Sequence, residues 1–293
     1  MATRVLVSGA TGQLGTYLVR ELIGRGHNLI AWGHSHPATI FGVPARAVDL
    51  TDEVILAMAF AEARPDVVIH AAAMSTVADC ARDPRRAEAV NTRGTAALAG
   101  LCERAGSRLV DVSTDLVFDG ERPPYLESDP VNPLSVYGRS KAAAERPALA
   151  SPRNAVVRVS LLFGPSFNGR PNFFDTQVAA LRAGRPVRLF HDEWRTPLGY
   201  ATAARALAEV ATSDVTGLLH VGGPERMSRV EMGRRMAASL GTGDAPIEPM
   251  SRLNVPGEPR PRDTSLDSSR WRNTFPRLRW PTFEQALAEM GVG

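Results

Sequence analysis

The chain switches repeatedly between two periods. Short, nearly continuous apolar runs at Arg4–Ser8, Asn28–Trp32, Ala45–Val48, Asp66–His70, Leu109–Val112 and Ala155–Leu162 read as strands buried on both faces. Between them, apolar residues recur at helical spacing. Leu14, Leu18 and Leu22 mark a helix ending at Gly26, and Thr51 is placed as N-cap of a helix running to about Ala63. A longer helix spans about Arg85 to Ala105, and a further one is opened by Asn132 and Pro133 and closed by Pro147. Four to five strand–helix alternations within the first 112 residues predict an α/β fold, a doubly wound parallel sheet with helices on both faces.

Beyond Phe163 the pattern loosens. Helices are expected over Phe173–Ala183, Thr202–Thr212 and Ser228–Leu240, with short strands at Val187–Phe190 and Gly217–Val221. The final stretch is rich in Pro and Arg. This predicts a large domain over residues 1–162 and a smaller, partly discontinuous C-terminal lobe over 163–293.

With 293 residues, 44% of them apolar and 22% charged, the chain can bury a full core. The formal charge of +3 comes from scattered Arg with no run of like charge, so a nucleic-acid partner is not expected. No apolar run approaches the roughly 20 residues of a membrane span, and the first residues run straight into a strand without a leader pattern. Cys80 and Cys102 lack metal spacing, which fits a reducing compartment and predicts a cytoplasmic protein with no metal site.

The candidate chemistry lies where strands end. Gly9-Ala-Thr11-Gly12-Gln13-Leu14-Gly15 follows the first strand and opens the first helix. Glycines there let backbone amides approach a pyrophosphate, and the helix N-terminus favours the anion. The second strand ends in Gly33-His34-Ser35-His36, with no Asp or Glu to bind an adenine-ribose 2′-hydroxyl, so NADP(H) is expected over NAD(H), with His34 or Ser35 near the 2′-phosphate. Ala71, Ala72 and Ala73 follow the fourth strand, and small residues there let a flat ligand lie against backbone. Asn91 is read either as an internal hydrogen-bonding group or as the holder of a water near the site. The fifth strand delivers the hydroxyls Ser113 and Thr114, and Tyr137 and Lys141 stand four apart on the following helix, one turn from each other on one face. A phenol beside a cation is a proton donor whose pKa the cation lowers. Gly138, inside that helix, suggests close packing beside Tyr137.

Taken in order, GATGQLG at 9–15, HAAAMSTV at 70–77, VNTRGT at 90–95, STDLVFDG at 113–120, NP and YGRSK within 132–141, RVSLLFG at 158–164 and RPRDTSLDSSR at 260–270 resemble the extended short-chain dehydrogenase/reductase superfamily, and within it the dTDP-4-dehydrorhamnose reductase family. The resemblance implies a Rossmann-type sheet, a substrate lobe and hydride transfer to a sugar C4 ketone, serving polysaccharide or glycoside assembly. By this matching Tyr137 gives the proton, Lys141 binds the nicotinamide ribose and lowers the phenol's pKa, and Thr114 holds the carbonyl oxygen. Gly9, Thr11, Gly12, Gln13, Leu14 and Gly15 line the pyrophosphate, Asp49 and Leu50 the adenine, and Ala71, Ala72 and Ala73 the ribose and nicotinamide side. Asp115 stands near the sugar, with Asn172, Arg260 and Arg262 as candidates for its diphosphate. Two positions depart from the pattern: Leu116 replaces a usual Tyr and Leu161 a usual Trp, and both belong to the sugar pocket. The family also resembles the regulatory subunit of methionine adenosyltransferase, which gives a non-catalytic alternative. An epimerase or dehydratase is ranked below both, because Thr114-Asp115 lacks the extra Glu beside Asp that a dehydratase would use. A homodimer is the assembly the resemblance suggests.

Overall fold

A computed structural model describes residues 3–34, 37–243 and 245–292. In its first part strands β1 (Arg4–Ser8), β2 (Asn28–Gly33), β3 (Ala38–Ile40), β4 (Val43–Ala47), β5 (Val67–His70), β6 (Arg108–Thr114) and β7 (Ala155–Val159) alternate with helices α1 (Gln13–Gly24), α2 (Glu53–Ala63), α3 (Val77–Arg82), α4 (Pro84–Ala87), α5 (Thr95–Ala105) and α6 (Val136–Ala148). The second part holds β8 (Leu162–Phe163), α7 (Phe173–Arg182), β9 (Val187–Phe190), β10 (Trp194–Arg195), β11 (Leu198–Gly199), α8 (Tyr200–Ala211), β12 (Gly217–Val221), β13 (Met227–Ser228), α9 (Arg229–Ser239), β14 (Ile247–Met250), α10 (Ser269–Thr274) and α11 (Phe283–Glu289).

The main sheet has eight strands in the order β12-β7-β6-β5-β1-β2-β4-β3, all parallel except the edge strand β3. Strands such as VVIH and AVVRV are buried at every position, which is why they carry no alternation. One face packs Leu18, Val19 and Leu22 of α1 and Ala203, Leu207 and Val210 of α8 over Val5, Val7, Ile69 and Val157. The other packs Leu56 and Phe60 of α2 and Leu98 and Cys102 of α5 over Leu6, Val68, Leu109 and Val156. A separate core around Phe163, Phe174, Leu189, Met236, Phe283 and Leu287 belongs to the lobe. Between Leu198 and Val221 the chain returns to the large sheet, where β12 pairs with β7 and α8 lies against α1.

Several boundaries differ from the expected ones. Asp52, not Thr51, caps α2, accepting from Val54 N at 3.0 Å and Ile55 N at 2.9 Å, because the Thr51 hydroxyl is bound to Asp49 Oδ1 at 2.7 Å. Helix α6 begins at Val136 under Ser135, whose hydroxyl accepts from Gly138 N at 3.0 Å. Asn132 and Pro133 precede it in a loop, where Asn132 donates to Asp119 Oδ2 at 2.9 Å and its amide to Val117 O at 2.9 Å. Pro147 lies inside the last turn of α6. The expected helix over Arg85–Ala105 is two α segments joined by a π-helical turn, Glu88–Gly94, and the expected strand Ala155–Leu162 breaks at Ser160 so that β8 pairs with β11. Strand β3 was not expected; it forms a hairpin with β4 through Phe41 and Gly42, both at positive φ (48° and 83°), the requirement of a tight two-residue turn.

Candidate active site

A cavity of about 660 Å³ opens beyond the carboxyl ends of β1, β2, β5, β6 and β7, where open parallel sheets bind their ligands. Gly9, Thr11, Gly12, Gln13, Leu14 and Gly15 all line it, as do Asp49, Leu50, Ala71, Ala72 and Ala73. The glycines are there for space. A Cβ on Gly9, at φ 74°, would lie 2.6 Å from Ala72 N, and one on Gly15 would lie 2.0 Å from Gly9 O. The turn closes through Gly12 N to Gly9 O at 2.9 Å, so the first amides of α1 start at the cavity wall. This cradle, which any side chain would fill, fits the pyrophosphate of a dinucleotide.

At the end of β2, Gly33 lines the wall, and a Cβ there would meet the Thr11 side chain at Cγ2, 2.8 Å away. His34 lines the same wall, whereas Ser35 lies outside the described residues. Arg86 of α4, which was not singled out from the sequence, comes within 3.3 Å of His34 Nε2 through its Nη2. Asp49 has its carboxyl held below the usual range, first by the Thr51 amide and then by the Thr51 hydroxyl, His34 and Arg86.

Thr114 and Tyr137 meet on the opposite wall. Thr114 ends β6 with extended backbone (φ −140°, ψ 153°), and Tyr137 is the second residue of α6. Burial raises the phenol's pKa above its ordinary value; the hydrogen-bonding Thr114 hydroxyl draws it down, and Asp115, Cys80 and Asp111 push it up. Gly138 lets the helix close on the strand end, because a Cβ there would stand 2.3 Å from Leu116 O. Lys141 departs from the expected geometry. It is 1% exposed, does not reach the cavity wall, and its Nζ lies 3.4 Å from Asp111 Oδ2. In this chain the ammonium is spent on a buried carboxyl, whose own pKa burial raises and Lys141 lowers.

The hydroxyl pair of β6 divides between two tasks. Ser113 donates to Glu145 Oε1 at 2.6 Å, and Glu145 is clamped by Arg158 at 2.7 and 2.8 Å. Arg158 also reaches His220 Nε2 at 3.2 Å; His220 Nδ1 donates to Tyr125 O at 3.1 Å, which leaves Nε2 as the acceptor. This network is buried and structural. Asn91 is equally internal: it is fully buried in the π-helical turn, accepts from Met74 N at 2.8 Å and donates to Ser140 Oγ at 2.9 Å.

Asp115 lines the cavity but is 4% exposed, and its Oδ2 is surrounded by the Thr264 hydroxyl at 2.8 Å, the Ser160 hydroxyl at 3.3 Å and Arg195 Nε at 3.5 Å. Burial raises its pKa, with Arg195 and the three hydroxyls of Thr264, Thr114 and Ser160 opposing. The lobe side of the wall carries Glu193, Arg195 and Arg260, with Arg260 Nε 3.0 Å from Glu193. Of the three residues expected for a diphosphate, Arg260 lines the cavity, and Asn172 and Arg262 do not. Asn172 is the N-cap of α7, accepting from Phe174 N and Asp175 N while donating to Gly164 O at 2.9 Å, so its amide is consumed by the helix start. Arg262 does not line the cavity. Leu116 and Leu161 do line it, beside Met74, Val77 and Phe173, and make this part of the wall apolar. Glu193 and Arg195 carried no local signal. Thr264 lies inside the RPRDTSLDSSR stretch, whose task in the site is now visible as the anchoring of Asp115.

Among the described residues no group of three metal-ligating side chains occurs, and no helix is long and apolar enough to cross a membrane. The profile of the family described as RmlD substrate binding domain matches residues 3–291. The dTDP-4-dehydrorhamnose reductase of Streptomyces griseus is 33% identical over 92% of this chain and 87% of its own length. Methionine adenosyltransferase 2 subunit beta of Danio rerio is 31% identical over 91% of this chain and 81% of its own. The solved dTDP-4-dehydrorhamnose reductase of Bacillus anthracis, in complex with NADP, superimposes with a TM-score of 0.88 over 100% of this chain and 99% of that one at 24% identity, a likeness of fold. With its profile matched almost end to end on a Rossmann-type sheet, the chain belongs to the RmlD substrate binding domain family, among the extended short-chain dehydrogenase/reductases.

Proposed function

We propose that the protein is an NAD(P)(H)-dependent oxidoreductase that reduces the 4-keto group of a deoxysugar nucleotide, of the dTDP-4-dehydrorhamnose reductase type, in polysaccharide or glycoside assembly. The observation that carries this reading is the meeting of Thr114 and Tyr137 on the wall of the cavity whose other end is the glycine cradle. A nicotinamide cofactor, when bound, supplies the hydride. Everything else falls to the chain's own groups. The phenol of Tyr137, kept protonated at neutral pH by its raised pKa, holds the proton that the ketone oxygen takes up. Thr114 orients that oxygen, and Lys141 acts from behind the wall as a buried cation one helical turn away, held by Asp111.

NADP(H) is the preferred cofactor in this reading, because β2 ends in Gly33 with no carboxylate to repel a 2′-phosphate and His34 with Arg86 offers donors to it; NAD(H) remains a usable second cofactor. Arg260 is the proposed diphosphate contact, and Asp115 orders the wall around the sugar. A cytoplasmic location and a homodimer belong to the same proposal, the first supported by the two free thiols, Cys80 and Cys102. The non-catalytic reading, a regulatory subunit like the Danio rerio relative, is disfavoured by the retained pairing of Thr114 with Tyr137. Mixing the protein with NADPH and dTDP-4-keto-6-deoxyhexose and following nicotinamide absorbance separates the two. Oxidation of NADPH supports the reductase, and tight cofactor binding with no turnover of any nucleotide-ketosugar supports the regulatory role.

A further inference from the structure

Glu258 belongs to the Pro-rich loop that follows β14, yet its carboxylate sits at the start of the catalytic helix. Oε1 accepts from Val136 N at 2.8 Å and from Arg139 Nη2 at 3.3 Å. Val136 is the first residue of α6, so its amide has no acceptor within the helix. Ser135 satisfies the third amide, that of Gly138, and Glu258, from 122 residues away, satisfies the first. A carboxylate at this end also opposes the positive pole of the helix. The residue after Val136 is Tyr137.

The same loop forms part of the cavity wall. Pro259, Arg260 and Pro261 line it, Arg260 is held by Glu193 at 3.0 Å and lies over the Phe190 ring at 4.7 Å, and its carbonyl accepts from Arg252 Nη1 at 2.6 Å. Prolines on both sides of Arg260 fix φ and stiffen the connection. One short segment thus touches the substrate end of the cavity and the backbone amide adjoining the phenol.

We propose that Glu258 is a positioning residue for Tyr137: its carboxylate pins the first turn of α6 to the substrate loop and so fixes the phenol's approach to Thr114. This rests on the reading of the cavity as a ketosugar-nucleotide site. The test uses the full chain with Glu258→Ala and Glu258→Gln; the glutamine keeps an acceptor oxygen for the Val136 amide. Glu258→Ala is expected to lower kcat for ketosugar reduction about tenfold or more, with the KM for the ketosugar and the Kd for NADPH changed by less than about threefold, and Glu258→Gln to recover most of kcat. A merely structural cap would instead lower the melting temperature and leave the kcat of the folded enzyme alone. Hydrogen exchange of the Val136 amide, read on the protein without any ligand, should speed up about tenfold in Glu258→Ala and stay near the wild-type rate in Glu258→Gln. A kcat within twofold of wild type in Glu258→Ala, a glutamine variant as impaired as the alanine one, or an unchanged exchange rate overturns the proposal. If the wild-type protein turns over no ketosugar, the substrate reading is what fails, and the exchange measurement still decides whether Glu258 holds the helix.

Discussion

A Cβ placed on Gly138 would stand 2.3 Å from the carbonyl oxygen of Leu116 and 2.9 Å from Pro133 Cβ. On intrinsic propensity an alanine in this helix gains about 1 kcal/mol over glycine. Here the clash with backbone dominates, because neither neighbour is the flexible end of a side chain. Gly138→Ala is expected to destabilise the protein by about 1–3 kcal/mol and, by lifting the helix off the strand end, to separate Tyr137 from Thr114. A variant that melts at or above the wild-type temperature with full activity would show that the contact is not as tight as described.

Tyr137→Phe removes the only atom of that side chain that can hold the transferable proton. Loss of a general acid is worth on the order of 10²–10⁴ in rate, while the aromatic ring and its packing remain. NADPH affinity and the thermal midpoint should stay close to wild type while kcat collapses. Retention of more than a tenth of the activity would remove Tyr137 from the chemistry.

Arg86 supplies the test of cofactor choice. A charge-assisted hydrogen bond contributes about 1.5–3 kcal/mol, so Arg86→Ala should weaken NADPH binding about tenfold to a hundredfold and leave NADH binding unchanged. Fluorescence titration with the two reduced cofactors reads both. An equal loss for NADPH and NADH would place Arg86 away from the 2′-phosphate.

Two histidines make the fold sensitive to acid. His70 is buried between Ser8 Oγ at 2.5 Å and Thr95 Oγ1 at 2.9 Å; because the Thr95 hydroxyl donates to Asn91 O, Nε2 donates to Thr95 and Nδ1 accepts from Ser8, which fixes the neutral ring. Burial, then Lys141, lowers its pKa from 6.5 to about 3, and burial, then Arg158, lowers that of His220 to about 4. Below pH 6.5 the unfolded chain takes up protons that the native state refuses, so stability is complete above 6.5 and falls with pH through the window down to about 4 for His220 and about 3 for His70. Each histidine costs about 1.4 kcal/mol per pH unit in that window, or about 3–4 kcal/mol for both at pH 5. Urea unfolding at pH 7 and pH 5 measures this, and equal stabilities at the two values would contradict the buried neutral state.

Asp115 depends on a residue 149 positions away. Thr264→Val deletes the 2.8 Å donor to a carboxyl that is 4% exposed. A cost of about 1–3 kcal/mol is expected for the unsatisfied buried oxygen, together with a raised KM for the nucleotide-sugar as Asp115 and Arg195 shift. If the valine variant is as stable as wild type, Asp115 is not held in the way the structure indicates.

The alternation of buried strands with amphipathic helices, the glycine turn at 9–15 and the alanines after β5 were all legible in the sequence. Each depends on chemistry that a few neighbouring residues settle: helical or strand period and the absence of a side chain. Helix starts were less legible, since Thr51 and Asn132 are as good caps in composition as Asp52 and Ser135, and the choice fell to which hydroxyl or amide was already engaged elsewhere. What only the tertiary structure decided is where side chains from distant segments meet. The order of strands brings Arg86 to His34, Asp111 to Lys141, Thr264 and Arg195 to Asp115, and Glu258 to Val136. No local pattern encodes those partners, because each is fixed by the packing of two elements whose separation along the chain is arbitrary, and it was this packing that turned Lys141 toward Asp111 and consumed Asn172 as a cap.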